Sequence, residues 1–161
     1  MTIDEYNKTV DLYSDRVYRF VLKNIKDQHK AEDIVQDSYE RLWKNYESVN
    51  FLKARQYLFS TAYHTLIDRI RKEKRISSTE DILIKESGQN EQYSGLKEIL
   101  DEAVDKLPEA QKMVLLLRDY EGYSYKEIAN LASLSESQVK VYIYRARIFL
   151  KDYIRKIDVL V

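Results

Sequence analysis

The residues best placed to do chemistry form one run, Ser124 to Arg147, SYKEIANLASLSESQVKVYIYRAR. Its spacing is that of two helices joined by a tight turn. Ala129 is the small residue at the crossing, and Ser133 stands in the turn four residues later. Val139 buries the second helix, with Ile128, Leu134 and Ile143 completing the contact. The second helix then presents Glu136, Ser137, Gln138, Lys140, Val141 and Tyr144 outward. Side chains on the first turns of such a helix can reach base edges in a major groove, and its N-terminal amides can meet phosphate. Arg145, Arg147 and Lys151 follow as phosphate contacts. The plainer alternative is a helical hairpin with a basic solvated face.

A second candidate lies in the first half of the chain. Asn50, Phe51, Arg55, Tyr57, Tyr63 and His64 precede the basic run RIRKEKR, which includes Arg71, Lys72, Lys74 and Arg75. Aromatic rings beside a basic track suit single-stranded nucleic acid, because bases stack on rings while cations follow phosphate. Phe59 and Tyr63 fall on the inner stripe of their helix and are set aside as base contacts. The basic run also reads as a charged helix end, since cations favour helix C-termini. A third candidate, AEDIVQDSYERLWKN, sets Glu32, Asp33, Gln36, Asp37, Glu40, Arg41 and Lys44 off an apolar stripe. Periodicity alone makes that a solvated face, with Trp43 in the core. Nothing supports catalysis: His64 and Asp68 are four residues apart and could pair, but no third group or glycine-rich loop joins them.

The elements that must carry these residues are helical. Apolar spacing predicts helices over 4–26, 28–46 and 52–75, the second capped by Asp27. The third turns Phe59, Ala62, Tyr63, Leu66 and Ile70 inward, and Ser60, His64, Asp68, Arg71 and Arg75 outward. Four further helices are expected over 96–106, 109–120, 125–131 and 136–156. Pro108 takes the first helical position of the second of these, Gly122 ends it, Ser124 and Glu127 form a capping box, and Ser135 caps the last helix. With 3 glycines, 1 proline and no cysteine in 161 residues, an all-β fold, a disulfide scaffold, a thiol site and a phosphate-cradling glycine loop are all disfavoured. Two histidines leave little for a metal site, and no cofactor is expected. No apolar run approaches membrane-spanning length and no apolar leader precedes the first helix, so a soluble, cytoplasmic protein is expected.

The net charge of zero, 27 basic against 27 acidic residues, argues naively against a nucleic-acid binder. Its distribution reverses the inference. Residues 1–75 carry +3, 76–103 carry −5 and 104–161 carry +2; residues 53–75 hold seven basic and two acidic residues, and 137–157 six and one. The expected organisation is therefore two small all-α domains, 1–75 and 96–161, joined by a flexible acidic linker over 76–95.

Taken together, LYSDRVYRFVLKNIKDQHKAEDIVQDSYERLWKN, KARQYLFSTAYHTLIDRIRKEKR and LPEAQKMVLLLRDYEGYSYKEIANLASLSESQVKVYIYRAR resemble an extracytoplasmic-function sigma factor of the sigma-70 family, over about residues 10–75 and 96–156. The resemblance implies a region 2 domain whose Asp33, Gln36, Asp37, Glu40 and Arg41 dock on the β′ clamp helices of RNA polymerase. It implies that Asn50, Phe51, Arg55, His64, Arg71, Lys72 and Arg75 capture and open the promoter −10 element. The second domain would be region 4, reading the −35 element through Tyr125, Lys126, Glu136, Ser137, Gln138, Lys140, Tyr144, Arg145 and Arg147, and touching the β flap. The linker would thread toward the RNA exit path, and an anti-sigma partner is expected. Two other readings stay open on the residues alone: a stand-alone helix-turn-helix regulator, which leaves the polar face of 32–44 unused, and a helical protein–protein adaptor.

Overall fold

The computed structural model describes residues 1–77 and 95–160, and the expected linker lies mostly outside them. All the regular structure among these residues is helical. Helix α1 (Ile3–Ile25) opens on a reciprocal capping box: the Glu5 amide donates to Thr2 Oγ1 at 3.1 Å and the Thr2 amide to Glu5 Oε1 at 2.9 Å. It ends at Lys26, whose left-handed backbone (φ 59°) breaks the helix. Asp27 then caps α2 (Gln28–Asn45) by accepting from the Lys30 amide at 3.1 Å. That hydrogen bond holds the Asp27 carboxyl below its ordinary pKa. Two short 3₁₀ turns, Tyr46–Ser48 and Phe51–Lys53, lead into α3 (Ala54–Ser77). Val17, Phe20, Ile34, Leu42, Leu58 and Leu66 close the core between the three helices.

The second half is built from α4 (Leu96–Asp105), α5 (Glu109–Asp119), α6 (Tyr125–Ala132) and α7 (Glu136–Leu160). Pro108 is the residue before α5, extended at ψ 142°, one position earlier than the spacing suggested. Its missing N–H costs nothing there. Gly122 has φ 76°, a conformation that suits glycine and turns the chain from α5 into α6. Val114, Leu117, Ile128, Val139, Ile143 and Ala146 form the centre of this half.

The two halves are not separate bodies. Their buried side chains form one continuous cluster, bridged by aromatic rings. Phe20 meets Phe59 edge-on at 5.6 Å within the first half, and Phe59 meets Tyr123 of the second at 5.6 Å. Burial pushes the Tyr123 phenol above its ordinary pKa.

Candidate nucleic-acid interface

The helix-turn-helix is set by three local devices. Ser124 and Glu127 cap α6 reciprocally, at 3.1 and 3.0 Å, and the amide hydrogen bond lowers the Glu127 pKa. Ser133 ends α6 in the left-handed conformation (φ 56°, ψ 42°), its amide returning to the Ala129 carbonyl. For a residue with a Cβ this costs about 1–2 kcal/mol, which the surrounding packing must offset. Ser135 and Gln138 then form a second capping box: the Gln138 amide donates to Ser135 Oγ at 3.1 Å and the Ser135 amide to Gln138 Oε1 at 3.0 Å. Gln138 is thereby both a candidate base reader and a structural cap. Its side-chain carbonyl accepts from the Ser135 amide, and its NH₂ group is the donor it can offer a base.

Glu136, Ser137, Gln138, Lys140, Tyr144 and Arg145 are all exposed on α7, and Lys126 on α6. Lys140 pairs with Glu136 at 3.7 Å. Arg147, expected as a phosphate contact, reaches back to Asp119 of α5 at 2.8 Å. Tyr125 is half-buried with the Arg118 guanidinium 4.9 Å from its ring. The positive field of this face therefore rests chiefly on Lys126, Arg145 and Lys151, all exposed, with Lys140 partly offset by Glu136.

In the first half, α2 turns Asp33, Gln36, Glu40 and Arg41 to solvent, beside a groove shared with α1 and lined by Asp15, Tyr18, Glu32, Val35 and Gln36. Asp37 is half-buried and pairs with Arg69 of α3 at 3.7 Å. Trp43 does not join the core: it is 46% exposed, stacked on Tyr46 at 5.1 Å and edge-on to Tyr6 at 5.0 Å. Its ring contacts are these two tyrosines, which leave nearly half of the residue open to solvent. Tyr39 takes the buried place instead, its hydroxyl donating to the Thr9 carbonyl at 2.7 Å and its pKa raised by burial.

The set read as a single-strand surface is divided by the fold. Asn50 and Phe51 lie in the loop before α3, where Asn50 Oδ1 accepts from the Leu52 amide at 3.0 Å. The same loop is held by the Met1 nitrogen, which donates to the carbonyls of Tyr46 (2.9 Å) and Val49 (2.8 Å). Arg71, Lys72 and Arg75 project from the far end of α3 and are exposed. Arg55 and His64 are half-buried, and both contact the second half of the molecule. Arg55 donates to the Glu121 carbonyl at 2.6 Å, lies 3.5 Å from the Glu121 carboxylate, and covers the Tyr123 ring at 4.5 Å. His64 Nε2 lies 3.2 Å from Ser133 Oγ, in the turn of the helix-turn-helix, while its Nδ1 meets the Ser60 carbonyl at 2.8 Å. Ser60 donates to the Leu131 carbonyl at 2.9 Å. The Ser60–His64 side of α3, expected to face outward, is thus the seat of α6. Glu121 and Tyr123 escape a sequence reading because their partners are more than sixty residues away, and no local period marks them.

Comparison with known proteins matches both halves. The family model for sigma-70 region 2 covers residues 9–76, and that for sigma-70 region 4 covers residues 97–150. The ECF RNA polymerase sigma factor SigM of Bacillus subtilis is 34% identical over 156 residues, spanning 94% of each chain. RNA polymerase sigma factor SigV of the same organism is 31% identical over 144 residues, 88% of this chain and 86% of SigV. The sigma factor RpoE from Bartonella quintana, crystallised with the anti-sigma factor NepR, shares the fold with a TM-score of 0.78 at 22% identity, over 95% of this chain and 98% of that one.

Proposed function

The chain belongs to the extracytoplasmic-function branch of the sigma-70 family and directs RNA polymerase to promoters, and we propose that it does so with its two halves in distinct roles. Residues 1–75 bind core polymerase through the exposed Asp33, Gln36, Glu40 and Arg41, with Asp37 at the edge of that face. Asn50 and Phe51 meet an unpaired base of the −10 element, and Arg71, Lys72 and Arg75 follow its backbone. Holding one base out of the stack costs a few kcal/mol, which polymerase binding and phosphate contacts offset. Residues 96–161 read the −35 duplex with the first turns of α7. The protein works in the cytoplasm, carries out no bond-making step itself, and has an anti-sigma partner, as RpoE has NepR.

The observation that carries this reading is the exposed polar face of α2 in the same chain as a helix-turn-helix. A stand-alone regulator has no use for that face. Arg55 and His64 belong to the −10 set only when α6 and its turn have moved off α3, so promoter opening requires the halves to part. The test is transcription by core polymerase on genomic DNA with and without the protein, with start sites mapped. Initiation at a defined set of sites sharing two spaced elements is expected. Tight promoter binding by the protein alone, with no effect on core-enzyme start sites, would favour the regulator.

A further inference from the structure

Helix α7 buries Val139, Ile143 and Ala146, which are 0%, 1% and 0% exposed. At about 100° per residue the ridge directly opposite runs through Ser137, Val141, Tyr144 and Ile148. This outermost line is mostly apolar: Val141 is 42% exposed, Tyr144 67% and Ile148 43%. The polar groups beside it are partly committed elsewhere. Gln138 Oε1 accepts from the Ser135 amide at 3.0 Å, Lys140 pairs with Glu136 at 3.7 Å, and Arg147 pairs with Asp119 at 2.8 Å. A helix reading DNA only by hydrogen bonds would set polar groups along that ridge.

We propose that Val141, assisted by Tyr144, is a specificity-determining residue that reads thymine C5-methyl groups in the −35 duplex. The inference rests on the assignment of α7 to that duplex. The thymine methyl is the apolar group that a base pair offers in the major groove. An exposed valine near the start of the helix, with no polar atom of its own, gains by touching it and loses hydration by touching any other edge. Ile148, a further turn along, lies toward the groove wall. The occupant is a nucleic acid because cations flank the ridge: Lys126, Lys140, Arg145 and Lys151 are exposed, and residues 137–157 hold six basic residues against one acidic. The −35 element is thus expected to hold thymine opposite Val141, chosen by shape and not by a hydrogen-bond pair.

The test uses the full chain bound to core polymerase on a promoter found by start-site mapping. Each −35 thymine is replaced singly by deoxyuridine, which deletes the methyl and keeps every hydrogen-bonding group. Loss of one buried methyl contact should weaken holoenzyme binding about three- to fivefold at one or two positions. Val141→Ala should erase the thymine–uracil difference there, and far-ultraviolet circular dichroism should show the fold intact. Uracil tolerated at every position, or uracil sensitivity unchanged in Val141→Ala, would overturn the proposal. So would uracil indifference combined with weaker binding of V141A or Y144A to core enzyme without DNA, which would make the ridge a protein surface. Indifference to every −35 base change would instead remove the assignment of α7 to the duplex, a separate failure.

Discussion

Arg55 is the group through which the two halves are most directly joined, and its removal should be measurable as a coupling. Its guanidinium donates to the Glu121 carbonyl at 2.6 Å, lies 3.5 Å from the Glu121 carboxylate, and sits 4.5 Å from the Tyr123 ring centroid. The two side chains are 28% and 12% exposed, so solvent screens the pair only in part. A charge-assisted hydrogen bond contributes about 1.5–3 kcal/mol and a partly desolvated cation–π contact about 1 kcal/mol. The buried Arg55 Nε has no partner and offsets some of this gain. Arg55→Ala should therefore lower stability by about 3 kcal/mol. Glu121→Gln keeps the carbonyl and the shape, loses only the ion pair, and should cost about 1 kcal/mol. In the double variant that second cost should largely vanish, leaving a coupling of about 1 kcal/mol. Equilibrium urea unfolding of the four full-length proteins reads these values. Additivity within about 0.3 kcal/mol would mean that the Arg55 and Glu121 side chains do not act as a pair, and the contact between the halves would then rest on its other hydrogen bonds and the shared core.

Asp33→Arg and Gln36→Arg reverse the character of the exposed α2 face without touching an internal pair, and each should weaken core-polymerase binding at least about tenfold, seen by co-elution; unchanged binding would remove this face from the interface. Gln138→Ala breaks the capping box of α7 and should cost about 1 kcal/mol in urea unfolding, whereas Gln138→Glu should keep most of it. If Gln138 also reads a base, Gln138→Ala should reduce −35 discrimination by about 1–3 kcal/mol in competition binding, against an equal loss on all sequences if it does not. Tyr39, Tyr63 and Tyr123 hold their protons above the ordinary value because of burial. The folded state thus binds these protons more tightly than the unfolded one, so their contribution is whole below about pH 10 and is lost as pH rises beyond it. The urea midpoint should fall between about pH 9 and about pH 11, alongside phenolate absorbance; a flat midpoint would contradict the burial.

The helices were legible because their signals are local. The Ser124–Glu127 box, Asp27, Ser135 and the apolar periods each act within a turn or two, and each appears where its spacing put it. The turn at Ser133 was legible in the same way, from its position after Ala129, although its left-handed backbone was not. Trp43, 46% exposed, was misplaced because a stripe gives the side of a helix and not whether a neighbour covers it. Arg55 and His64 read as candidates for a nucleic-acid strand, and their charge and shape do suit one. Their present partners, Glu121 and Ser133, depend on how two separately built halves meet, and the spacing within either half carries no record of that. The same holds for Arg147, whose carboxylate partner lies on another helix.

Three ion pairs that cross between the halves share one polarity. Lys26, Arg55 and Lys74 supply the cations from the first half; Asp105, Glu121 and Glu109 supply the carboxylates from the second. At these three points the second half presents a carboxylate to a cation of the first, as a phosphate would. A phosphate backbone that approached Arg55 or Lys74 on α3 would meet a cation already neutralised in place and could take it only by exchange, whereas Arg71 and Lys72 stand exposed on the same helix. The affinity gained per phosphate is then the difference between two similar electrostatic contacts. On the proposed reading, counter-ion release from the DNA, which carboxylates fixed on a folded domain cannot match, would favour the promoter in that exchange.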